Sequence, residues 1–151
     1  MRYQTSFNMH VTTMAKLANA SKRTGLSITK LIVQLMYHYA KEHKSTYFAK
    51  GTVKYQKRDI LDHWSFFRVS LKEKDYELFT DMRKVMKKSV SYLIALAVKK
   101  YLDRFVTKII KKVMKYTRLI RRSAGERVEG FMKWMFKWRI TTKPPLENET
   151  P

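Results

Sequence analysis

The run Gln4-Thr5-Ser6-Phe7-Asn8-Met9 has a counterpart in Phe66-Phe67-Arg68-Val69-Ser70-Leu71, which starts sixty-two positions later. That repetition constrains the fold more than any other feature of the chain. In each run one parity is polar or variable and the other mostly apolar, the period-two pattern of a strand with one buried face. The match continues beyond the strands. With the same offset and no gap, Met9 falls on Leu71, Phe7 on Val69, Leu17 on Phe79, Ser27 on Ser89, Thr29 on Ser91, Leu31 on Leu93, Ile32 on Ile94, Met36 on Val98 and Tyr39 on Tyr101. Apolar meets apolar and hydroxyl meets hydroxyl in one register, which identifies an internal repeat.

Each copy reads as a strand followed by two helices. In the first, Met14, Leu17, Ala18 and Ala20 recur at three-and-four spacing after the strand. Gly25 stops that helix, as a residue tolerant of the left-handed conformation does, and Ser27 is placed to cap the next. Ile28, Leu31, Ile32, Leu35, Met36 and Tyr39 then form a wide apolar stripe, read as core. One copy alone has half a core and a strand with two unpaired edges. Two copies cannot stack into a solenoid. Related by a two-fold, they pair their strands antiparallel and bury both sets of helices. The expected fold is mainly α with a short two-stranded antiparallel β-ribbon. Its parts are a first repeat over 1–43, a basic linker over 44–63, a second repeat over 64–105, a basic amphipathic helical extension over 106–140 and a disordered tail over 141–151.

A strand of alternating polar residues, a helix, the turn Gly25-Leu26-Ser27 and a second apolar helix through Leu31-Ile32 to Tyr39 resembles the ribbon-helix-helix superfamily. The tandem form resembles the fused, single-chain version found among plasmid-transfer accessory proteins. This resemblance implies an intrachain pseudo-dimer whose β-ribbon lies in the major groove of double-stranded DNA. It implies a transcriptional repressor or a DNA-transfer accessory factor, acting in the cytoplasm of a prokaryotic cell with the nucleoid. The second copy departs from the pattern at Lys87 and Lys88, which stand where Gly25 and Leu26 do. A left-handed Lys is unfavourable, so a differently built turn is expected there. Antitoxins share the fold family, but no separate neutralising segment argues for that role.

Residues two apart in a strand share a face. With Phe7, Met9, Val69 and Leu71 inward, Gln4, Ser6 and Asn8 and, from the other strand, Phe66, Arg68 and Ser70 look outward as base readers. The major groove, about 12 Å wide, admits a two-stranded ribbon. Amides suit adenine, Arg suits guanine, and Ser suits either. Phe66 either packs on a thymine methyl or covers Trp64. The helix starts at Ser27, Thr29, Ser89 and Ser91 serve as ordinary caps and, with the helix dipole, as phosphate clamps. Lys50, Lys54, Lys57 and Arg58 of the linker add phosphate contacts, beside its plain role as a crossover.

Charge agrees with a polyanionic partner. The chain carries 33 Lys and Arg against 12 Asp and Glu, a formal +21, which acts on association rather than on fold. Hydrophobic residues make up 44% of it, enough for a core. Lys111 and Lys115, expected as further phosphate contacts, belong to the extension, where Leu102, Phe105, Ile109, Val113, Tyr116 and Ile120 continue one apolar face. A turn is expected at Ser123-Ala124-Gly125, followed by a helix with Val128, Phe131, Met132, Trp134, Met135, Phe136 and Trp138. Three roles stay open for this segment: covering the core with added phosphate contacts, self-association, or contact with a membrane surface. The last two supply the alternative function, partner or membrane binding through the C-terminal helices.

Other chemistry finds little footing. There is no cysteine, which excludes disulfides, thiolate metal sites and a cysteine nucleophile. His10, His38, His43 and His63 have no metal-ligand spacing, and no Gly-rich phosphate loop or paired carboxylates stand out. No catalytic residue, metal, cofactor or small-molecule substrate is expected. The polar N-terminus is unlike a signal peptide. The longest charge-free apolar run, Leu31 to Ala40, is half of the roughly 20 residues that a membrane span needs.

Overall fold

The structure is a computed structural model that describes residues 1–44 and 48–141, with side chains through Arg127 and at Glu129. Ser45, Thr46 and Tyr47 of the linker lie outside the described residues. So do residues 142–151 of the predicted tail and the predicted apolar side chains from Val128 to Trp138. The chain divides into two units, Met1–Ile110 and Lys111–Pro151.

The first unit is built on two strands, β1 (Arg2–His10) and β2 (Trp64–Lys72), which pair antiparallel. The register sets Gln4 opposite Ser70, Ser6 opposite Arg68 and Asn8 opposite Phe66. Alternation decides the faces: Phe7, Met9, Val69 and Leu71 are buried, whereas Gln4, Ser6, Phe66, Arg68 and Ser70 are exposed and Asn8 is half-buried.

Each strand runs straight into a helix. α1 (Val11–Thr24) follows β1 and α3 (Glu73–Met86) follows β2. His10 caps α1, its Nδ1 accepting the Thr12 amide at 3.2 Å. Gly25 ends the helix in the left-handed conformation, φ 72°, with its amide donating to the Ser21 carbonyl at 2.9 Å. α2 (Ile28–Glu42) and α4 (Val90–Thr141) then begin on serine caps. The core gathers both strands' inner faces with Leu17, Leu31, Ile32 and Met36 from one half and Phe79, Leu93, Ile94 and Val98 from the other.

Two expectations are corrected. The α3–α4 turn is not built differently: Lys87 adopts φ 51°, ψ 44°, the left-handed conformation that Gly25 has in the first turn. A strap from the linker over-determines it. The Lys54 amide donates to the Lys87 carbonyl and the Ser89 amide donates to the Lys54 carbonyl, both at 2.8 Å, while the Ala49 amide bonds the Val85 carbonyl at 2.9 Å. Fixed from both sides, the backbone holds a conformation that Lys alone would avoid. Second, Ser123-Ala124-Gly125 makes no turn. α4 runs unbroken for 52 residues. A lone Gly weakens a helix by only about 1 kcal/mol relative to Ala, and with good helix formers around it and no Pro, that cost does not break the element.

The second unit contains the remainder of α4. From Lys111 through Arg127 every residue is exposed, including Val113, Met114, Tyr116, Leu119 and Ile120. Among the described residues, no helix is long and apolar enough to cross a membrane.

Candidate nucleic-acid interface

The solvent face of the ribbon is longer than its sequence suggests. Each strand has nine residues, so the exposed row extends beyond the six expected readers to Arg2, which lies opposite Lys72. Sequence reasoning missed these two cations, although they share the parity of Gln4 and Arg68. With Arg68 they give the face three positive charges, and neither strand contains Asp or Glu. Gln4, Ser6, Asn8 and Ser70 add amide and hydroxyl groups able to donate and accept. The row is carried on a backbone whose opposite side is core, so its side chains are presented by a rigid element.

The far end of the ribbon is closed by the linker. His10 lies opposite Trp64, with its ring edge-on to the indole at 5.7 Å between centroids. The Arg58 guanidinium sits over the Trp64 ring at 4.8 Å from its centroid, a cation–π contact. Arg58 and His10 thus cover Trp64, while Phe66 stays 60% exposed. His10 also ties down the linker. Its Nδ1 accepts from Thr12, which puts the ring proton of the neutral form on Nε2, 3.3 Å from the Asp62 carboxylate. The Asp59 amide, donating at 3.0 Å, and then His10 hold the Asp62 carboxyl below its ordinary range. The Val11 amide bonds the His63 carbonyl at 3.0 Å. What reads as a loose connector is thus fastened to the ribbon at one end and to the α3–α4 turn at the other.

That fastening sorts the expected phosphate contacts. Ser27 Oγ accepts the Lys30 amide and Ser89 Oγ the Tyr92 amide, both at 3.2 Å, so both residues are caps. The first-turn amides left unused by these caps belong to Ile28 and Thr29 in α2, and to Val90 and Ser91 in α4. The Ser89 amide is already taken by Lys54. Lys54, Lys87, Lys88 and Ser89 therefore come together at the start of α4, with Lys88 Nζ 5.6 Å from the Tyr92 ring centroid. Lys87 and Lys88 are the second pair the sequence reading missed, because there they figure only as departures from a glycine turn. Lys50 and Lys57 are exposed on the linker. Lys111 and Lys115 are exposed in the second unit and are described with it.

Among the described residues, no group of three or more His, Asp and Glu side chains could hold a metal ion. Comparison of the chain with protein-family models, with curated protein sequences and with solved structures gives no significant match.

Proposed function

We propose that the chain is a fused ribbon-helix-helix protein that binds double-stranded DNA sequence-specifically, with its β-ribbon in the major groove. The observation that carries this reading is the outward row of Gln4, Ser6, the half-buried Asn8, Arg68 and Ser70, flanked by Arg2 and Lys72 and free of acidic residues. The pseudo-dimer is supported by the register. Equivalent positions lie sixty-two apart, and one such pair, Ser6 and Arg68, lies directly opposite in the ladder. A two-fold through that pair exchanges Gln4 with Phe66 and Asn8 with Ser70. Burial supports it as well. Among the described residues, each buried hydrophobic residue of the first copy has a buried counterpart at that offset, down to Ala20 with Met82 and Leu35 with Ala97. The rings of the equivalent Tyr39 and Tyr101 meet at 6.0 Å.

In this reading Gln4 and Asn8 address adenine, Arg68 guanine, and Ser6 and Ser70 either base. Phe66 offers an apolar surface to a thymine methyl. Thr29 and Ser91, with the amides beside them, and Lys50, Lys54, Lys57 and Arg58 hold phosphates and set the ribbon's position without reading sequence. The two strands differ, so the preferred site is an imperfect palindrome. The protein acts as a repressor or as a DNA-transfer accessory factor in the cytoplasm, without catalysis.

Selection of preferred sites from a random duplex library tests the proposal. Asn8→Ala and Arg68→Ala are each expected to relax preference at one position by roughly 1–3 kcal/mol. Lys57→Ala is expected to weaken all sequences alike and to lower the salt slope by about one unit. Strand variants that select the same site as the parent chain would sink the ribbon reading.

A further inference from the structure

We infer that residues 111–127 form a surface for an anionic lipid membrane, on which this part of α4 lies flat. Two ridges define it. Val113, Tyr116 and Ile120, at i, i+3 and i+7, share one face and are 53%, 65% and 59% exposed. Lys111, Lys115, Arg118 and Arg122, at i, i+4, i+7 and i+11, share the opposite face. Met114 and Leu119, also more than half exposed, sit at the two borders. Over these positions Lys and Arg number seven, against the single acid Glu126.

Charge chooses the occupant. A second copy of this helix would cover the apolar ridge but bring two strongly basic segments within roughly the 10 Å screening length of one another. A DNA backbone would satisfy the cations and leave Val113, Tyr116 and Ile120 in water. An anionic bilayer surface meets both needs together. The apolar face enters the boundary between headgroups and acyl chains while Lys111, Lys115, Arg118 and Arg122 stay among the phosphates. Arg127, seven beyond Ile120, ends the apolar face with a side chain long enough to reach the headgroups. The segment is about 25 Å long and lies along the surface, since no described helix is long and apolar enough to cross. This inference is independent of what the ribbon binds.

The test uses the full chain with vesicles of equal parts phosphatidylglycerol and phosphatidylcholine, and with phosphatidylcholine alone. The protein is expected to co-sediment with the first and not with the second. The triple variant Val113→Ser, Tyr116→Ser, Ile120→Ser keeps every charge and is expected to lose at least tenfold in partition while duplex affinity stays unchanged. Lys111→Glu, Lys115→Glu and Arg118→Glu together are expected to lose more than a hundredfold, at roughly fivefold per cation. Helix content by circular dichroism checks that the variants fold. The chain has no cysteine, so Val113→Cys and Arg122→Cys can each carry one environment-sensitive dye. On anionic vesicles the first should report an apolar surrounding and the second water. Unaltered vesicle binding by the serine variant would overturn the inference, because any basic surface would then suffice. So would equal dye responses at the two positions, or a serine variant whose only change is a smaller mass in solution, which would assign the ridge to a second copy.

Discussion

Glu42 shows how a single exposed carboxylate can join parts of the chain that are distant in sequence. It accepts a hydrogen bond from the Tyr101 hydroxyl and lies 3.6 Å from Lys100 and 3.5 Å from His38. The Tyr101 bond, ahead of the charges, holds the Glu42 carboxyl below its ordinary value, while burial and then Glu42 push the Tyr101 phenol up. A depressed folded-state value stabilises the fold above the unfolded carboxyl value, near about pH 4, and that contribution is lost as pH falls through the folded one. Tyr101→Phe keeps the ring and removes the bond. Its deficit in urea unfolding should be largest at neutral pH and should shrink on acidification to about pH 3; a deficit independent of pH would contradict this account. Asp75 is, among the described residues, the buried charged side chain, and Tyr37 donates to it at 2.9 Å. Tyr37→Phe leaves that carboxylate short of a donor and is expected to cost about 1–3 kcal/mol, read as a lowered urea midpoint.

The two helix–helix turns reach one geometry by different means. Gly25 takes the left-handed conformation with nothing within 4 Å of where a Cβ would stand, so Gly25→Ala meets only backbone strain. The expected loss is about 1–2 kcal/mol. Lys87 carries that strain already and is held by the Lys54 strap. Lys87→Gly relieves it but frees the unfolded chain, for a net gain below about 1 kcal/mol. Thermal unfolding of the two variants should therefore move in opposite directions. α2 and α4 share an opening, each on a serine, but not an ending. His43 closes α2, whereas α4 runs on through the buried Leu102 and Val106.

For the first unit, the proposed intrachain pairing carries a thermodynamic consequence. A dimer of separate chains gains apparent stability with concentration, whereas two halves on one chain do not. The urea midpoint is expected to stay constant over about a hundredfold range of protein concentration. A midpoint that climbs with concentration would point to strands exchanged between chains. The structured linker fits the intrachain arrangement, since it is bonded to both the ribbon end and the α3–α4 turn.

Local periodicity alone was enough to read the inner and outer parity of both strands, the serine caps and the buried stripe of each helix pair. All of these depend on neighbours within a turn or two along the chain. Tertiary structure decided the rest. The strands reach Arg2 and Lys72 because pairing continues as long as each has a partner, and only the ladder puts Ser6 opposite Arg68. Lys87 is left-handed because Lys54, thirty-three positions earlier, bonds across it. The linker folds back on the ribbon end, where Asp62 meets His10, fifty-two positions earlier. Such contacts join residues far apart in sequence, and no period along the chain records them.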